Sequence, residues 1–302
     1  MRTTCLINHY NYGEFVGEAV SSALAQTHPL DEIILVDDGS SEEHLALAKA
    51  AAAQSDLVQL VNKPNGGQLS CFQAGLEASD GDLVFFLDGD DRWTPNYVQR
   101  VVELLRERPE VDFVATNQRE FSAEGTKRVE GRPSRDRGKS LVLCLEKGGV
   151  WVGAPTSCLA IRRPILKKIF PVPNPEGWRV CADEALVYGS SIANAHKYFL
   201  GEPLVEYRIH DNNSFFNKKD TPERAFSRRL EGRRLVEHMR LKLALPQTLI
   251  DLVHYEFRTI EEPTREEFQA YMSIVLKAAV PLMRKLRLIS DLMRTYYFRS
   301  NI

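Results

Sequence analysis

The first 115 residues of the chain alternate short apolar runs with amphipathic helical segments, and this alternation strongly limits the folds available to it. Residues 33–36 and 83–87 are apolar throughout and rich in β-branched or aromatic side chains, as expected of strands buried on both faces. Between such runs, segments such as 15–25 carry apolar side chains at helical spacing. The pattern predicts an α/β fold: a doubly wound, mainly parallel sheet with helices on both faces.

Polar, glycine-containing clusters follow the first four predicted strands. Right-handed crossovers place the carboxyl ends of parallel strands along one edge of the sheet, where ligands of open α/β sheets bind. The clusters therefore converge on one rim and predict a binding site there. They are residues 8–11, 37–40, 62–68 and 88–91.

The fourth cluster, Asp88-Gly89-Asp90-Asp91, has the composition of a metal site. Carboxylates two residues apart in an extended segment project to the same side, and the glycine between them allows both to approach one cation. Mg²⁺ and Mn²⁺ take one or two protein carboxylates and complete their shells with phosphate oxygens and water. The structural alternative is that these acids cap the following helix.

Two other clusters have the composition of a nucleotide site. Asp38 could accept an N–H of a base, and the same segment also suits a simple turn before a helix. Tyr10 either stacks on that base or is an ordinary rim aromatic. The run 65–68 opens a helix, so its backbone N–H groups suit a phosphate or a ribose. It is not a Walker A loop, because no Gly-Lys-Ser/Thr follows.

Taken in order, four motifs resemble the family 2 glycosyltransferases of the GT-A fold: Tyr10-Asn11, the strand ending at 36–40, Asn65-Gly66 and the run 86–91. The resemblance implies an inverting glycosyltransferase with Mn²⁺ or Mg²⁺ as cofactor. Its donor would be a nucleotide-diphosphate sugar of uridine or thymidine. Its acceptor would be a glycan, a lipid-linked molecule or another hydroxyl compound.

The resemblance also implies roles for the donor-site residues. Tyr10 would lie against the nucleobase and Asp38 would accept the pyrimidine N3–H. Asp88 and Asp90 match the family's DxD motif, with Asp90 as the direct metal ligand. The implied nucleotide-sugar site comprises Asn8, Tyr10, Asn11, Asp38, Asn65, Gly66, Gln68, Asp88, Gly89 and Asp90.

In the second half, the family's general base belongs to a Glu-Asp pair at the start of a helix. Here Ala182 stands in place of the first acid, Asp183 matches the base, and Glu184 is the alternative. A carboxylate can take the proton of an acceptor hydroxyl as the new bond forms. The structural alternative for Asp183 is a helix-capping acid. Because of Ala182, a catalytically inactive nucleotide-sugar-binding or scaffold protein of the same fold is the alternative function.

Three further residues resemble parts of the family's second half. Trp151 and Thr156 match the acceptor-side wall, although a lone tryptophan also suits simple packing. Glu184 is a further acceptor-side candidate. His210 would reach the diphosphate or the metal, would order the acceptor loop, or is a structural histidine.

The resemblance and the composition together predict a domain plan. A catalytic domain spans 1–218, with a nucleotide-binding half at about 1–120 and an acceptor-binding half at about 121–218; a helical region spans 219–302. Residues 122–149 are polar and are expected to form a solvated loop or a lid. Between 271 and 299 basic and apolar residues interleave. This segment either packs on the catalytic domain or a homodimer partner, or touches a membrane surface.

Other classes of protein are disfavoured. The net charge of −2 gives no basic field for nucleic acid. No GxGxxG follows the first strand, as a dehydrogenase would require, and no glycine-rich loop of the nucleotidylyltransferase type occurs there. The five cysteines form no CxxC pair, and the amino-terminal apolar run is too short for a signal peptide. A cytoplasmic protein is expected, with the inner face of the membrane as an alternative location.

Overall fold

A computed structural model describes residues 1–129, 131–211, 213 and 221–298. It begins with the alternation that the sequence predicts. The elements are β1 (Thr3–His9), α1 (Gly13–Leu24), β2 (Glu32–Asp37), α2 (Glu42–Ala52), β3 (Val58–Asn62), α3 (Gln68–Glu77) and β4 (Leu83–Asp88).

The middle of the chain is more irregular, with 3₁₀ turns at Thr156–Cys158 and Pro175–Trp178. Its elements are β5 (Arg92–Trp93), α4 (Tyr97–Glu107), β6 (Phe113–Ser122), β7 (Gly125–Val129), β8 (Arg135–Gly138), α5 (Leu141–Lys147), β9 (Leu159–Arg162), α6 (Arg163–Ile169), α7 (Asp183–Ile192) and β10 (Lys197–Arg208).

From residue 221 onward, the described part of the chain is helical, as predicted. It contains α8 (Pro222–Lys242), a 3₁₀ turn (Ile250–Leu252), α9 (Val253–Phe257), α10 (Arg265–Lys277) and α11 (Leu282–Tyr297). The predicted boundary between 218 and 219 lies outside the described residues, so the division into two domains stays a prediction. Within the described ranges, no helix combines the length and the apolar character needed to cross a bilayer.

Among the described residues, ten strands form one sheet in the order β3-β2-β1-β4-β9-β6-β10-β5, with β7 beside β6 and β8 beside β10. The ladders from β3 to β4 and the long β6–β10 ladder are parallel, whereas β9 runs antiparallel between β4 and β6. The register places Asn8 beside Asp88, and His9 beside Asp37. The polar residues at the ends of β1, β2 and β4 therefore lie side by side, as the parallel arrangement predicts.

The expectation of a solvated loop at residues 122–149 is wrong, because this segment contains β7, β8 and α5. The alternative of a lid stays a prediction. Strand β8 pairs with β10, and α5 depends on a distant residue. The buried carboxylate of Glu256 accepts hydrogen bonds from the N–H groups of Val142 (2.6 Å) and Leu143 (2.9 Å) and from the Tyr271 hydroxyl (2.8 Å). The apolar run at 141–145 is a local signal for this helix, but its amino terminus is capped from more than 100 residues away.

Two apolar clusters hold the molecule together. The larger covers both faces of the sheet. The smaller joins α5 to helices α9, α10 and α11, and it includes Val142, Val152, Phe257, Tyr271 and Leu292. The carboxyl-terminal helices are therefore packed against the segment that leads to Trp151.

Candidate active site

A cavity of about 720 Å³ opens at the carboxyl ends of the parallel strands. Its walls come from the loops after β1, β2, β3 and β4, from the turn before α7, and from α8. Most residues that the sequence analysis selected line it. They are Asn8, Tyr10, Asp38, Asn65, Gln68, Asp88, Asp90, Trp151, Thr156, Asp183 and Glu184.

The acids after β4 divide into two kinds. Asp91 is buried behind the cavity, where it accepts hydrogen bonds from the Ser157 hydroxyl (2.6 Å) and from the backbone N–H of Arg208 (2.9 Å). Asp88 and Asp90 line the cavity itself. Burial, reinforced by the negative charge of Asp90, raises the pKa of Asp88 to about 7. The structure thus brings together two carboxylates that repel each other in a partly dry site.

Gly89 separates this pair and lets the loop close on β1. Its N–H donates to the backbone carbonyl of Asn8 at 2.9 Å, and an added Cβ would lie 3.0 Å from the same oxygen. A side chain at 89 would therefore push the loop away from β1. The role of Gly89 is to allow this close approach, not to line the cavity.

Asp88 and Asp90 fit a divalent cation through the chemistry of their oxygens. Among the described residues, no group of three or more His, Cys, Asp or Glu is arranged to enclose a metal ion. Two carboxylates and an open cavity suit a cation that takes its other ligands from phosphate and water. A cation there would also offset the burial and the repulsion from Asp90 that together raise the pKa of Asp88.

His210 lies behind this pair. Its Nε2 is 3.1 Å from Oδ2 of Asp90, and its ring packs on Phe15 and edge-on against Tyr12. Its backbone N–H donates to the Asn213 side chain at 2.7 Å. The contact with Asp90 favours a supporting role for His210, and direct metal ligation stays a prediction.

Asp38 is almost fully buried and already accepts several hydrogen bonds. Its Oδ1 accepts from the Lys63 ammonium and from the Gly66 N–H (2.9 Å); its Oδ2 accepts from the Gly67 N–H (2.7 Å) and the Asn65 side chain (3.2 Å). A carboxylate offers about four such positions. A base that bonds to Asp38 must therefore share or displace one of these donors, a constraint that the sequence does not reveal.

Asn11 and Gly66, which are also predicted to bind the donor, form hydrogen bonds with the loop that contains Asp38. The N–H of Asn11 donates to Ser40 Oγ (2.9 Å), and its side-chain carbonyl accepts from the Ser41 N–H (3.0 Å). Asn11 has a φ of 55°, a left-handed conformation that asparagine tolerates better than most residues. Gly66 contributes its N–H to Asp38. Both residues support the loop around Asp38 from behind the lining of the cavity.

Asp183 stands at the first position of α7, on the cavity wall. Burial, followed by the charge of the adjacent Glu184, raises the pKa of Asp183 to about 7. Glu184 lies 3.4 Å from the guanidinium of Arg228 on α8. The two predicted candidates for the base are therefore different in kind, since Glu184 is paired with a cation and Asp183 has the proton affinity of a base at neutral pH.

Gln68 connects the two acid loops. Its Nε2 donates to Asp88 Oδ1 (2.8 Å) and to the Thr156 hydroxyl (3.1 Å), and its Oε1 accepts from the Ala182 N–H (2.9 Å). One side chain thereby fixes the Asp88 carboxylate relative to the start of α7. Ala182 is buried, and it contributes only its backbone N–H to this link.

Trp151 forms part of the acceptor-side rim and is 41% exposed. The segment after it is tied to α7 by the buried Lys197, whose ammonium donates to the carbonyls of Val152 (3.0 Å) and Val187 (2.8 Å). Burial lowers the pKa of Lys197 to about 7. Lys197 therefore holds the rim and the helix that carries Asp183 in one arrangement.

Several cavity residues were not predicted. They are Tyr12, Gln118, Glu120, Arg179, Tyr207 and Arg228. Arg179 donates to the Asn65 side chain, and Arg228 arrives from α8, beyond the predicted catalytic domain. The arginine-rich composition of α8 was the one available signal for Arg228, and it does not indicate which arginine turns inward.

The strand order, the helices on both faces and the rim of acids define the class of protein as a GT-A glycosyltransferase. Among solved structures, TarS 1–349 of S. aureus in complex with UDP-GlcNAc is similar to this chain, with a TM-score of 0.55 at 13% identity. The alignment covers the whole of this chain and 74% of the TarS chain. GalNAc-T7 with UDP, GalNAc and Mn²⁺ is also similar, with a TM-score of 0.55 at 17% identity. That alignment covers 76% of this chain and 48% of the GalNAc-T7 chain. Both likenesses concern the fold.

Residues 4–170 match the family model described as glycosyl transferase family 2, and the chain belongs to this family of glycosyltransferases. An uncharacterized glycosyltransferase of Nostoc sp. (strain PCC 7120) is 35% identical over 224 residues, which cover 71% of this chain and 66% of that protein. An undecaprenyl-phosphate 4-deoxy-4-formamido-L-arabinose transferase of Sodalis glossinidius is 31% identical over 148 residues, which cover 46% of this chain and 45% of that protein. The chain therefore spans about two thirds of the first relative's length and under half of the second's.

Proposed function

We propose that the chain transfers a sugar, with inversion, from a UDP- or dTDP-linked donor to a hydroxyl of a glycan or lipid-linked acceptor. The observation that carries this proposal is the shared cavity, in which the Asp88–Asp90 pair and Asp183 are connected through Gln68. Donor-binding groups and a candidate base thus face one space large enough for both substrates.

In this proposal the donor lies along the ends of β1, β2 and β4. Tyr10, which is 48% exposed at the rim, stacks on the base, and the loop around Asp38 bonds to its edge. Asp88 and Asp90 are the residues that would hold a divalent cation. When bound, Mn²⁺ or Mg²⁺ supplies positive charge that stabilises the leaving diphosphate.

Asp183 acts on the acceptor. Its carboxylate accepts the proton of the acceptor hydroxyl while the hydroxyl oxygen bonds to the anomeric carbon. The bond from that carbon to the diphosphate oxygen breaks, and its electron pair leaves with the diphosphate. A single displacement of this kind inverts the anomeric configuration. The pKa of about 7 supports this role, because a base is most effective near the working pH.

A lipid-linked acceptor is favoured by two observations. The Sodalis relative is named for an undecaprenyl-phosphate substrate. The acceptor-side rim of this chain also presents two exposed apolar side chains, Trp151 and Val180. Such an acceptor fits an enzyme that works at the inner face of a membrane.

The test is a calorimetric titration of UDP and of dTDP, each with Mn²⁺ and then with EDTA. It is followed by assays of nucleoside diphosphate release on a panel of UDP- and dTDP-sugars with acceptors. We expect UDP binding that EDTA abolishes, and sugar-dependent release of the nucleotide. Absence of binding to UDP and dTDP would refute the proposal. Binding without release from any donor would support the inactive scaffold.

A further inference from the structure

Helix α11 packs against the protein with only one of its faces. Leu288 and Leu292 are buried in the smaller apolar cluster. Large apolar side chains on the other side are exposed, and we call them the outer face of α11: Leu282, Met283, Leu286, Met293 and Tyr297. Leu282, Met283 and Leu286 are 68%, 77% and 50% exposed. Packing on the domain, one of the two roles predicted for this segment, therefore accounts for half of the helix.

The outer face is a stripe along one side of the helix, with the partly buried Ile289 between Leu286 and Met293. Residues 282, 286, 293 and 297 are spaced by four, seven and four positions, which brings them to one side of an α-helix. Met283 extends this stripe at its amino-terminal end. A stripe of large apolar side chains left in water is unfavourable and usually marks a binding surface.

Cations accompany this stripe. Arg287 and Arg294 are exposed, seven residues apart, and border it on one side. Arg284 is paired with Asp251, and the Lys285 ammonium donates to the Leu276 carbonyl at 3.0 Å. The helix carries Arg284, Lys285, Arg287 and Arg294 against the single acid Asp291, although the whole chain has a net charge of −2. The positive charge is thus concentrated beside the apolar stripe.

We propose that the outer face of α11 binds the surface of an anionic lipid membrane. Apolar side chains with flanking arginines match the boundary between acyl chains and acidic headgroups. A second copy of the chain is a poorer occupant, because a two-fold contact through this face would bring Arg287 and Arg294 close to their own copies. This inference does not depend on the proposed function.

The proposal has a consequence for the acceptor. The smaller cluster, which holds the inner side of α11, includes Val152 and packs against Val150. These residues flank Trp151 on the cavity rim. A membrane bound at α11 therefore has a fixed relation to the acceptor side of the cavity. If the proposed function holds, a lipid-linked acceptor is presented from that surface.

The experiment is co-sedimentation of the full chain with phosphatidylcholine vesicles, with and without phosphatidylglycerol. We expect binding that requires the anionic lipid and is lost in 0.5 M NaCl. The double variant Arg287→Gln/Arg294→Gln should bind about 25-fold more weakly, since each cation near the surface contributes about a fivefold change. Met283→Ser/Leu286→Ser should also lose binding.

A matched control is Leu47→Ser/Lys49→Gln, which removes an exposed leucine and an exposed lysine from α2. It should bind as the wild type does. Unchanged thermal unfolding would confirm that the α11 variants are folded. The proposal is overturned if the wild type ignores phosphatidylglycerol, or if both α11 variants bind as tightly as the control. It is also overturned if light scattering shows a dimer that Met283→Ser/Leu286→Ser dissociates.

Discussion

The two sides of the cavity are built by different means. On the donor side, the polar residues directly follow β1, β2, β3 and β4, and the parallel register aligns them. On the acceptor side, α5 needs Glu256, the rim needs Lys197, and Glu184 needs Arg228 from α8. The donor side is therefore a local consequence of strand order, whereas the acceptor side depends on contacts between distant parts of the chain. Substitutions should affect the two sides separately.

The largest effect is expected on the donor side, from Asp90→Asn. The change removes one carboxylate of the pair and leaves the amide nearly the same size. Because a bound metal contributes several kcal/mol to stabilising the leaving diphosphate, transfer should fall about 1,000-fold. Mn²⁺-dependent UDP binding should weaken in the same calorimetric titration. If this variant transferred sugar at the wild-type rate, the proposed metal site at Asp88 and Asp90 would be wrong.

Glu256→Ala should affect the acceptor side through stability. It leaves the N–H groups of Val142 and Leu143 and the Tyr271 hydroxyl without their buried acceptor. The free energy of unfolding should fall by about 3 kcal/mol, measured by urea denaturation. Glu266→Ala, at an exposed site on α10, should change it by about 0.5 kcal/mol or less. Equal losses in both variants would contradict the structural role of Glu256.

Gln68→Leu tests the connection between the two sides. The variant loses the hydrogen bonds to Asp88, Thr156 and Ala182 while keeping a similar volume. Loss of alignment should lower kcat by about 10-fold to 100-fold and change the donor KM much less. Gln73→Leu, on the same helix but bonded to Glu77, should behave as the wild type. A change confined to KM would make Gln68 a donor-binding residue only.

The smallest effect is expected at the rim, from Tyr10→Ala. Loss of one stacking ring should weaken UDP binding by about tenfold, with little change in stability. Tyr255→Ala, at another exposed tyrosine, provides the control. Unaltered UDP affinity in Tyr10→Ala would leave Tyr10 as an ordinary surface aromatic.

The sequence predicts much of the donor side because its signals are local. Continuous apolar runs mark β2 and β4, and the polar residues after them, such as Asp88, need only the parallel arrangement to meet. The same reasoning does not reveal that Asp38 is already hydrogen-bonded by Lys63 and its neighbours. It also mistakes residues 122–149 for a solvated loop, because the partners of β8 and α5 are remote in the chain. The apolar run at 141–145 is a local signal for α5, but the contacts that order this segment lie elsewhere in the chain.

We infer that Asp183 is the base and that the donor binds without it. The most direct measurement compares UDP–Mn²⁺ affinity and turnover in Asp183→Asn with those of Glu184→Gln, over a range of pH. Wild-type turnover should rise about tenfold per pH unit up to about 7, because the ionised carboxylate is the active form and its pKa is raised to about 7.

With saturating Mn²⁺, which would keep Asp88 ionised, Asp183→Asn should keep its UDP affinity and lose about 100-fold or more of turnover, together with that pH dependence. Glu184→Gln should stay active, with its profile moved to lower pH, because the charge of Glu184 helps to raise the pKa of Asp183. Normal turnover in Asp183→Asn combined with an inactive Glu184→Gln would contradict the account and assign the base to Glu184.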